Sequence, residues 1–253
     1  MNVTFLGTGT SQGIPVIGCK CIVCISNDSK DKRLRTSALI ELNGVTIVID
    51  SGPDFRQQML RENVNHVDAI LFTHEHKDHM AGLDDVRAYN YLTKKAMDIY
   101  GSKCVHEAIK RDFHYVFHSE KYPGVPDLNL KEISDAPFWV NDVRILPIKV
   151  KHHKMNVNAF RINDFTYITD ANKIEDNELE KVKGSKIIVL NALRKEPHIS
   201  HFTLHQAIQL LTQLKPEKAY LTHFSHQLGL HKEIELELPE FILPAYDGLK
   251  ICI

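Results

Sequence analysis

The chain has 253 residues, 43% hydrophobic and 25% charged, which are ordinary values for a globular protein. With 31 basic and 32 acidic residues the net charge is -1, so no positive excess points to nucleic acid, and no run of 18 apolar residues is present to span a membrane. The first residues, MNVTFLGTGTSQG, lack the basic and long apolar regions of a secretory signal, so a cytoplasmic location is expected. Two features stand out. Histidine, the commonest metal ligand, occurs 15 times, and three of the five cysteines crowd into Cys19 to Cys24. Neither a linker nor a repeat is visible, so one domain over 1–253 is expected.

In chain order, Val3 to Leu6 reads as a short strand ending in Gly7-Thr-Gly-Thr10. Ser37 to Leu42 and Val45 to Ile49 flank Asn43-Gly44, the strongest short-range hairpin signal. Ala69 to Phe72 reads as a buried strand, followed by a His-rich loop and a helix from about Leu83. Asp98 to Gly101 reads as strand and Val105 to Phe117 as helix. Residues 119–137 hold Pro123, Gly124, Pro126 and Pro137 and read as a long loop, either functional or a plain surface excursion. Val143 to Val150 is strand-like. Ala159 to Ile162 and Phe165 to Thr169 form a second hairpin turning at Asn163-Asp164. Strand Ile187 to Leu190, helix Thr203 to Leu214 and strand Ala219 to Leu221 follow. Two hairpin-rich halves, each followed by β/α units, predict an α/β protein with two sheets between outer helices.

The densest chemistry is Thr73-His74-Glu75-His76-Lys77-Asp78-His79. On a loop at the C-terminal end of a strand, His74 and His76 can share one metal while Asp78 and His79 turn towards a second. This H-x-H-x-D-H pattern resembles the metal-binding motif of the metallo-β-lactamase superfamily. The resemblance implies a four-layer αβ/βα sandwich of two mixed sheets flanked by helices, with a dinuclear centre. It further implies a lone His, an Asp after a strand and a last His after another strand. His152, with His153 competing, Asp170 and His223 stand in that order. One metal would then take His74, His76 and His152. The other would take Asp78, His79 and His223, with Asp170 between the two. Asp50, at the end of a strand, either orients a ligating imidazole from behind or belongs to a turn with Gly52-Pro53.

Cys19-x-Cys21-x-x-Cys24 supplies three thiolates, and a structural zinc wants four ligands. Cys104 and Cys252 lie in helix-like and strand-like contexts, which leaves His226 as the better fourth. The alternative is a trio of reduced thiols or a redox sensor. With a His three residues after the last active-site His, the motif narrows the resemblance. It is similar to the phosphonate-pathway cyclic-phosphate phosphodiesterase group, as are Gly7-Thr-Gly-Thr-Ser-Gln-Gly13-Ile-Pro15 and Tyr246-Asp247-Gly248.

That group places a non-ligand His before a helix, and His201 matches it best in Pro197-His198-Ile199-Ser200-His201-Phe202-Thr203-Leu204-His205. His198 competes for the role, Thr203 reads as a cap, and His205 reads as a packing or surface residue. The resemblance implies a phosphodiesterase with two active-site divalent ions, zinc or manganese, and one structural zinc. Its substrate would be a small cyclic phosphodiester such as a ribosyl 1,2-cyclic phosphate. A metal-bridging hydroxide would attack, aided by Asp78, while His201 assists the departing oxygen. Rival readings are a tRNA 3′-end ribonuclease, a thioester or lactone hydrolase, and a non-catalytic metal binder. The tRNA enzyme needs a basic arm, and no Gly- and Lys-rich insertion is seen. Expected partners are the small phosphodiester and a second copy of the chain in a homodimer, with neither nucleic acid nor membrane. His114 and His118 flank the long loop and are the first candidates for further substrate contacts.

Overall fold

The computed structural model describes residues 1–120 and 122–253. In chain order the elements begin with β1 (Asn2–Gly7), β2 (Ser37–Leu42), β3 (Val45–Ile49), α1 (Phe55–Arg61), β4 (Ala69–Leu71), α2 (Lys77–Met80), α3 (Arg87–Thr93) and β5 (Met97–Gly101). There follow α4 (Lys103–Asp112), β6 (Leu128–Glu132), β7 (Phe138–Val140), β8 (Val143–His152), β9 (Met155–Ile162), β10 (Phe165–Tyr167) and β11 (Lys173–Ile174). The chain continues through α5 (Asp176–Val182), β12 (Ile187–Asn191), α6 (Leu204–Leu214), β13 (Lys218–Thr222), α7 (His231–Glu237), β14 (Ile242–Pro244) and β15 (Lys250–Cys252). One sheet runs β15-β1-β2-β3-β4-β5-β6 and the other β11-β8-β9-β10-β12-β13-β14, with β7 paired to β8.

Strand side chains alternate between faces, and that period of two builds the layers. Val3, Phe5, Ile47, Ile49 and Leu71 of the first sheet meet Phe160, Ile162, Phe165, Tyr167 and Val189 of the second in one core between the sheets. The intervening residues Leu6, Val48 and Ile70 point outward and are covered by Phe55 and Met59 of α1, Tyr89 of α3 and Ile109 of α4. On the other side Ile188, Leu190, Ala219 and Leu221 pack under Val182 of α5, Leu204 and Leu211 of α6 and Ile234 of α7. Strands β3 and β4 are therefore apolar on both faces, which is why they read as continuous runs rather than alternating ones. The expected αβ/βα sandwich is present.

Three sequence expectations need correction. The helix expected from Leu83 is broken into α2, a 3₁₀ turn at Leu83–Val86 and α3. The break lies at Gly82, whose N–H donates to Ser51 O at 2.9 Å and where a Cβ would stand 2.1 Å from Gly52 O. The helix expected to reach Phe117 ends at Asp112; Phe113 leaves helical geometry (φ -116°, ψ 39°) and His114–Phe117 is a 3₁₀ turn. The long loop contains β6, whose Leu128 to Glu132 pair in parallel with Met97 to Gly101 of β5. Residue 121 of that loop lies outside the described residues. The expected boundaries of the first hairpin hold, and Thr203 caps α6 in a capping box with Gln206.

A buried arginine ties the termini to the second sheet. Arg33 Nη1 donates to Thr8 Oγ1 (2.7 Å) and Ala245 O (2.6 Å), and Nη2 donates to His231 Nδ1 (3.0 Å). Its guanidinium lies 4.3 Å from the centre of the Phe224 ring. Arginine has only donors, so His231 Nδ1 must accept and the ring is neutral. Burial, then the Arg33 charge, push the His231 pKa down to about 4. The unfolded chain therefore takes up a proton below about pH 6.5 that the folded chain refuses, so stability falls as pH drops from there towards 4. The urea midpoint should decline over that window. It should decline less in His231→Asn, which keeps an acceptor for Arg33 but does not titrate; equal declines in both proteins would remove His231 as the cause.

Candidate metal centre

The predicted ligands stand where strands end, along one edge of the sandwich. Asp50 follows β3, the His74 to His79 loop follows β4, His152 closes β8, Asp170 lies just beyond β10, and His223 follows β13. Three of these turn in the left-handed region: Asp50 at φ 63°, Asp170 at 55° and His223 at 61°. Such a conformation costs roughly 1–2 kcal/mol for a residue with a Cβ, so the surroundings must hold it. Ser37 Oγ donates to Asp50 O (2.8 Å). Asn191 brackets the turn after Asp170, accepting from Ala171 N (2.8 Å) and donating to Ala171 O (2.9 Å). The backbone after His223 is pinned by Phe224 N to Thr8 O (2.8 Å) and Thr10 N to Phe224 O (2.9 Å).

Donor atoms of His74, His76 and His152 lie within 4.8 Å of one another, as do those of His74, His79 and Asp170, and those of His152, Asp170 and His201. Asp78 and His223 join this constellation through single approaches. His79 Nε2 is 3.2 Å from both Asp78 Oδ2 and Asp170 Oδ2, and His223 Nδ1 is 3.3 Å from Asp170 Oδ2. All the residues named from sequence for the two metals thus converge. Of the two adjacent histidines, His152 turns inward. His153 is exposed at the hairpin turn with φ 56°, its N–H donating to Asn172 Oδ1. His205 is exposed on α6.

Hydrogen bonds fix which nitrogen faces the centre. Asp50 is fully buried and accepts from His79 Nδ1 (2.7 Å), Thr73 N (2.8 Å) and Thr73 Oγ1 (2.8 Å). Since the Thr73 hydroxyl hydrogen goes to Asp50, its oxygen accepts from His74 Nδ1 (2.9 Å). His152 Nδ1 donates to Ser200 O (2.9 Å). In each ring the outer nitrogen is the donor, which leaves Nε2 free to present a lone pair inward. Nε2 of His74 and Nδ1 of His201 are buried without a hydrogen-bond partner, while the buried Nε2 of His79 has only the Asp78 and Asp170 carboxylates at 3.2 Å beside it. An orphaned buried polar atom costs about 1–3 kcal/mol, so several in one place signal an absent partner.

The electrostatics point the same way. Burial opposes charge on His79, but Asp170, Asp78 and Asp50 outweigh it and lift its pKa well above the imidazole range. His74 goes well below that range, from burial and then the neighbouring His79. Burial opposes ionisation of Asp170 and Asp78, yet His223 and His79 hold Asp170, and His79 holds Asp78, below the usual carboxylate range. The carboxylates draw positive charge into the pocket, and a divalent cation satisfies both them and the orphaned imidazole nitrogens. The donor set of imidazoles and carboxylates suits zinc or manganese alike.

The sequence reading assigned no role to four residues that shape this site: Thr10, Thr36, Thr73 and Asn191. Thr36 donates to Gly9 O (2.7 Å), and its oxygen stands 3.2 Å from His223 Nδ1. Thr10 Oγ1 lies 3.2 Å from His223 Nε2. Only the position of Thr73 and Asn191 at strand ends could have flagged them. His201, named from sequence as a non-ligand, sits 4.8 Å ring to ring from His223, stacked at 24°, with Nδ1 3.9 Å from Asp170 Oδ1. Burial, then His223, push its pKa down to about 2. His114 and His118 are exposed, their rings 5.4 Å apart.

The cysteines form a second cluster. Cys19, Cys21 and Cys24 Sγ lie 3.3, 3.4 and 3.6 Å from His226 Nδ1. A tetrahedral zinc with its usual bond lengths sets sulfur and nitrogen about 3.6 Å apart, so the four side chains already have the required spacing. Bonds from Cys24 N–H and His226 overcome burial and bring the Cys21 thiol down to about 6, whereas burial pushes Cys24 up to about 11. Cys104 and Cys252 are exposed and take no part.

The family model for the beta-lactamase superfamily domain matches residues 45–224. An octanoyltransferase of Porphyromonas gingivalis is 40% identical over the whole chain, which spans only 52% of that protein's length. A crystal structure of a diphosphatase from the PhnP family is 36% identical, with a TM-score of 0.93 over 100% of this chain and 97% of that one. The short form of human tRNase Z shares the fold at 16% identity, with a TM-score of 0.73 over 100% of this chain and 99% of that one. The chain belongs to the metallo-β-lactamase superfamily of hydrolases and, within it, to the PhnP family.

Proposed function

We propose that the protein is a metal-dependent phosphodiesterase acting on a small phosphodiester, a cyclic ribose phosphate or a diphosphate. The observation that carries this is the buried Nε2 of His74, without a hydrogen-bond partner, grouped with His79 and Asp170, and the buried Nε2 of His79 set 3.2 Å from carboxylate oxygens of both Asp78 and Asp170. In this reading His74, His76 and His152 hold one divalent ion, Asp78, His79 and His223 hold the other, and Asp170 lies between them. When bound, such a pair makes water acidic enough to act as a nucleophile and offsets phosphoryl charge. The chain's own groups do the rest. Asp50 and Thr73 keep the His79 and His74 rings in the ligating tautomer. The capping box at Thr203 and the Phe202 N to Ala171 O bond (2.7 Å) hold His201 beside Asp170, where its N–H can reach a departing oxygen. Cys19, Cys21, Cys24 and His226 hold a structural zinc that sets the wall of the site.

The name of the P. gingivalis relative favours a second reading, hydrolysis of an octanoyl ester or thioester at the same centre. It is the weaker one, because the name belongs to a protein about twice as long.

Metal-loaded protein should hydrolyse bis(p-nitrophenyl) phosphate, with Asp78→Ala inactive and His201→Ala slowed about 10²- to 10⁴-fold. Absence of metal-dependent turnover on any phosphodiester would sink the proposal. Turnover of a tRNA precursor but not of a cyclic ribose phosphate or a dinucleoside diphosphate would transfer the assignment to RNA processing. Turnover of octanoyl thioester alone would favour the second reading.

Asp50→Ala should weaken metal binding by roughly 10- to 100-fold while leaving the fold intact, as calorimetric titration would show. Elemental analysis should find about three metal equivalents per chain. Cys21→Ser should lose one of them and melt at lower temperature; an unchanged metal content in that variant would exclude the structural zinc.

A further inference from the structure

His198 was a competitor of His201 in the sequence, and the structure gives it a different place. Its Nδ1 receives Ser200 N (3.3 Å) and lies 3.2 Å from Ser200 Oγ. A backbone N–H can only donate, so Nδ1 must present its lone pair, and the ring hydrogen is on Nε2. Protonation would set one N–H against another. Burial, then Arg194, accordingly lower the pKa. The imidazole is thus fixed as a neutral donor through Nε2, and Nε2 has no protein partner among the described residues.

The ring lies beside the candidate centre. It stands 5.1 Å from the His201 ring, which itself stands 4.6 Å from the His152 ring. It is half-buried beside the exposed Ile199. Its loop is held before any substrate arrives. Asn172 Nδ2 donates to Ile199 O (3.0 Å), Arg194 Nη2 to Pro197 O (2.9 Å), and Ser200 O accepts from His152. The obvious rival for an anion is Arg194, and three of its five donors are engaged. Nη1 goes to Gln227 Oε1 (2.9 Å), Nη2 to Pro197 O, and Nε faces Glu196 O (3.4 Å).

We propose that His198 is a specificity-determining residue whose Nε2–H binds a non-reacting oxygen of the substrate, on a second phosphoryl group beside the one cleaved. This rests on the phosphodiesterase reading, with His201 serving the reacting phosphoryl group and His198 the next one out. The test compares bis(p-nitrophenyl) phosphate, which has one phosphoryl group, with a dinucleoside diphosphate, which has two. In His198→Ala the KM for the diphosphate should rise about tenfold, the strength of one hydrogen bond to a charged group, with kcat within about twofold. The KM for bis(p-nitrophenyl) phosphate and the metal content should not change. His198→Asn, which keeps one acceptor and one donor, should recover part of the loss, and His198→Phe, which keeps the ring's bulk, should not. Unchanged KM for the diphosphate, or a kcat loss on both substrates, would overturn the role. Wild-type turnover of bis(p-nitrophenyl) phosphate but not of the diphosphate would also overturn it while leaving the phosphodiesterase reading intact. If the wild type cleaves neither, that reading fails first.

Discussion

The site depends on one buried carboxylate. Asp50 is wholly enclosed, turns in a left-handed conformation, and spends both oxygens on three donors from Thr73 and His79. Burial raises its pKa, and only the His79 ring and Thr73 oppose that tendency. The ion is therefore stable there only while its partners stay in place, and the partners are oriented only while the ion is charged. An imidazole can offer a lone pair from either nitrogen. What selects Nε2 in His79, and through Thr73 in His74, is the acceptor behind the ring. A dense cluster of histidines without such an anchor would sample tautomers and rotamers, and the preorganisation on which metal affinity rests would be lost.

The fold supplies the anchor's position. Parallel pairing of β3 with β4 and of β12 with β13 brings successive strand ends to one edge. In α/β sheets that edge is where loops converge without interrupting the core. Each turn must leave the sheet sharply, which explains left-handed residues after β3, β10 and β13. Asp and His are among the side chains found most often in that conformation after glycine. The strain at His223 is countered by bridging to the N-terminal loop, where Gly9 pairs with Phe224. In the inter-sheet core beneath, Tyr167 has a hydroxyl buried without a partner, and its pKa is raised by burial and by Asp50 and Asp170.

Much of this was legible in the sequence because metal chemistry leaves few alternatives. Closely spaced histidines in a short segment, thiols at close spacing and an Asp at a strand end restrict both residue type and position, so the candidate ligands that converge and the layers could be named. What stayed hidden depends on tertiary contact. Thr36 and Asn191 look like any strand-end polar residue until the turn each one braces is seen. The break at Gly82 comes from backbone of the Ser51-Gly52 turn pressing against it, an event 30 residues away in sequence that no helical periodicity records. Strand β6 was hidden because only Leu128 and Leu130 mark it, and its pairing with β5 decides the matter.

The two clusters are mechanically one. His223 and His226 share a four-residue segment whose Phe224 packs on the buried Arg33, and Arg33 in turn grips Thr8 and Ala245. The cysteine cluster therefore lies at the far end of the same segment that carries His223. The His223 ring is otherwise held by Asp170, by the Thr10, Thr36 and Thr169 hydroxyls and by backbone pairing, and neutral hydrogen bonds to hydroxyls contribute only about 1 kcal/mol each. A four-ligand metal site contributes folding energy outright. A zinc held by the three thiols and His226, as proposed above, would stiffen the His223 segment, which the hydrogen bonds of Asp50 do not reach.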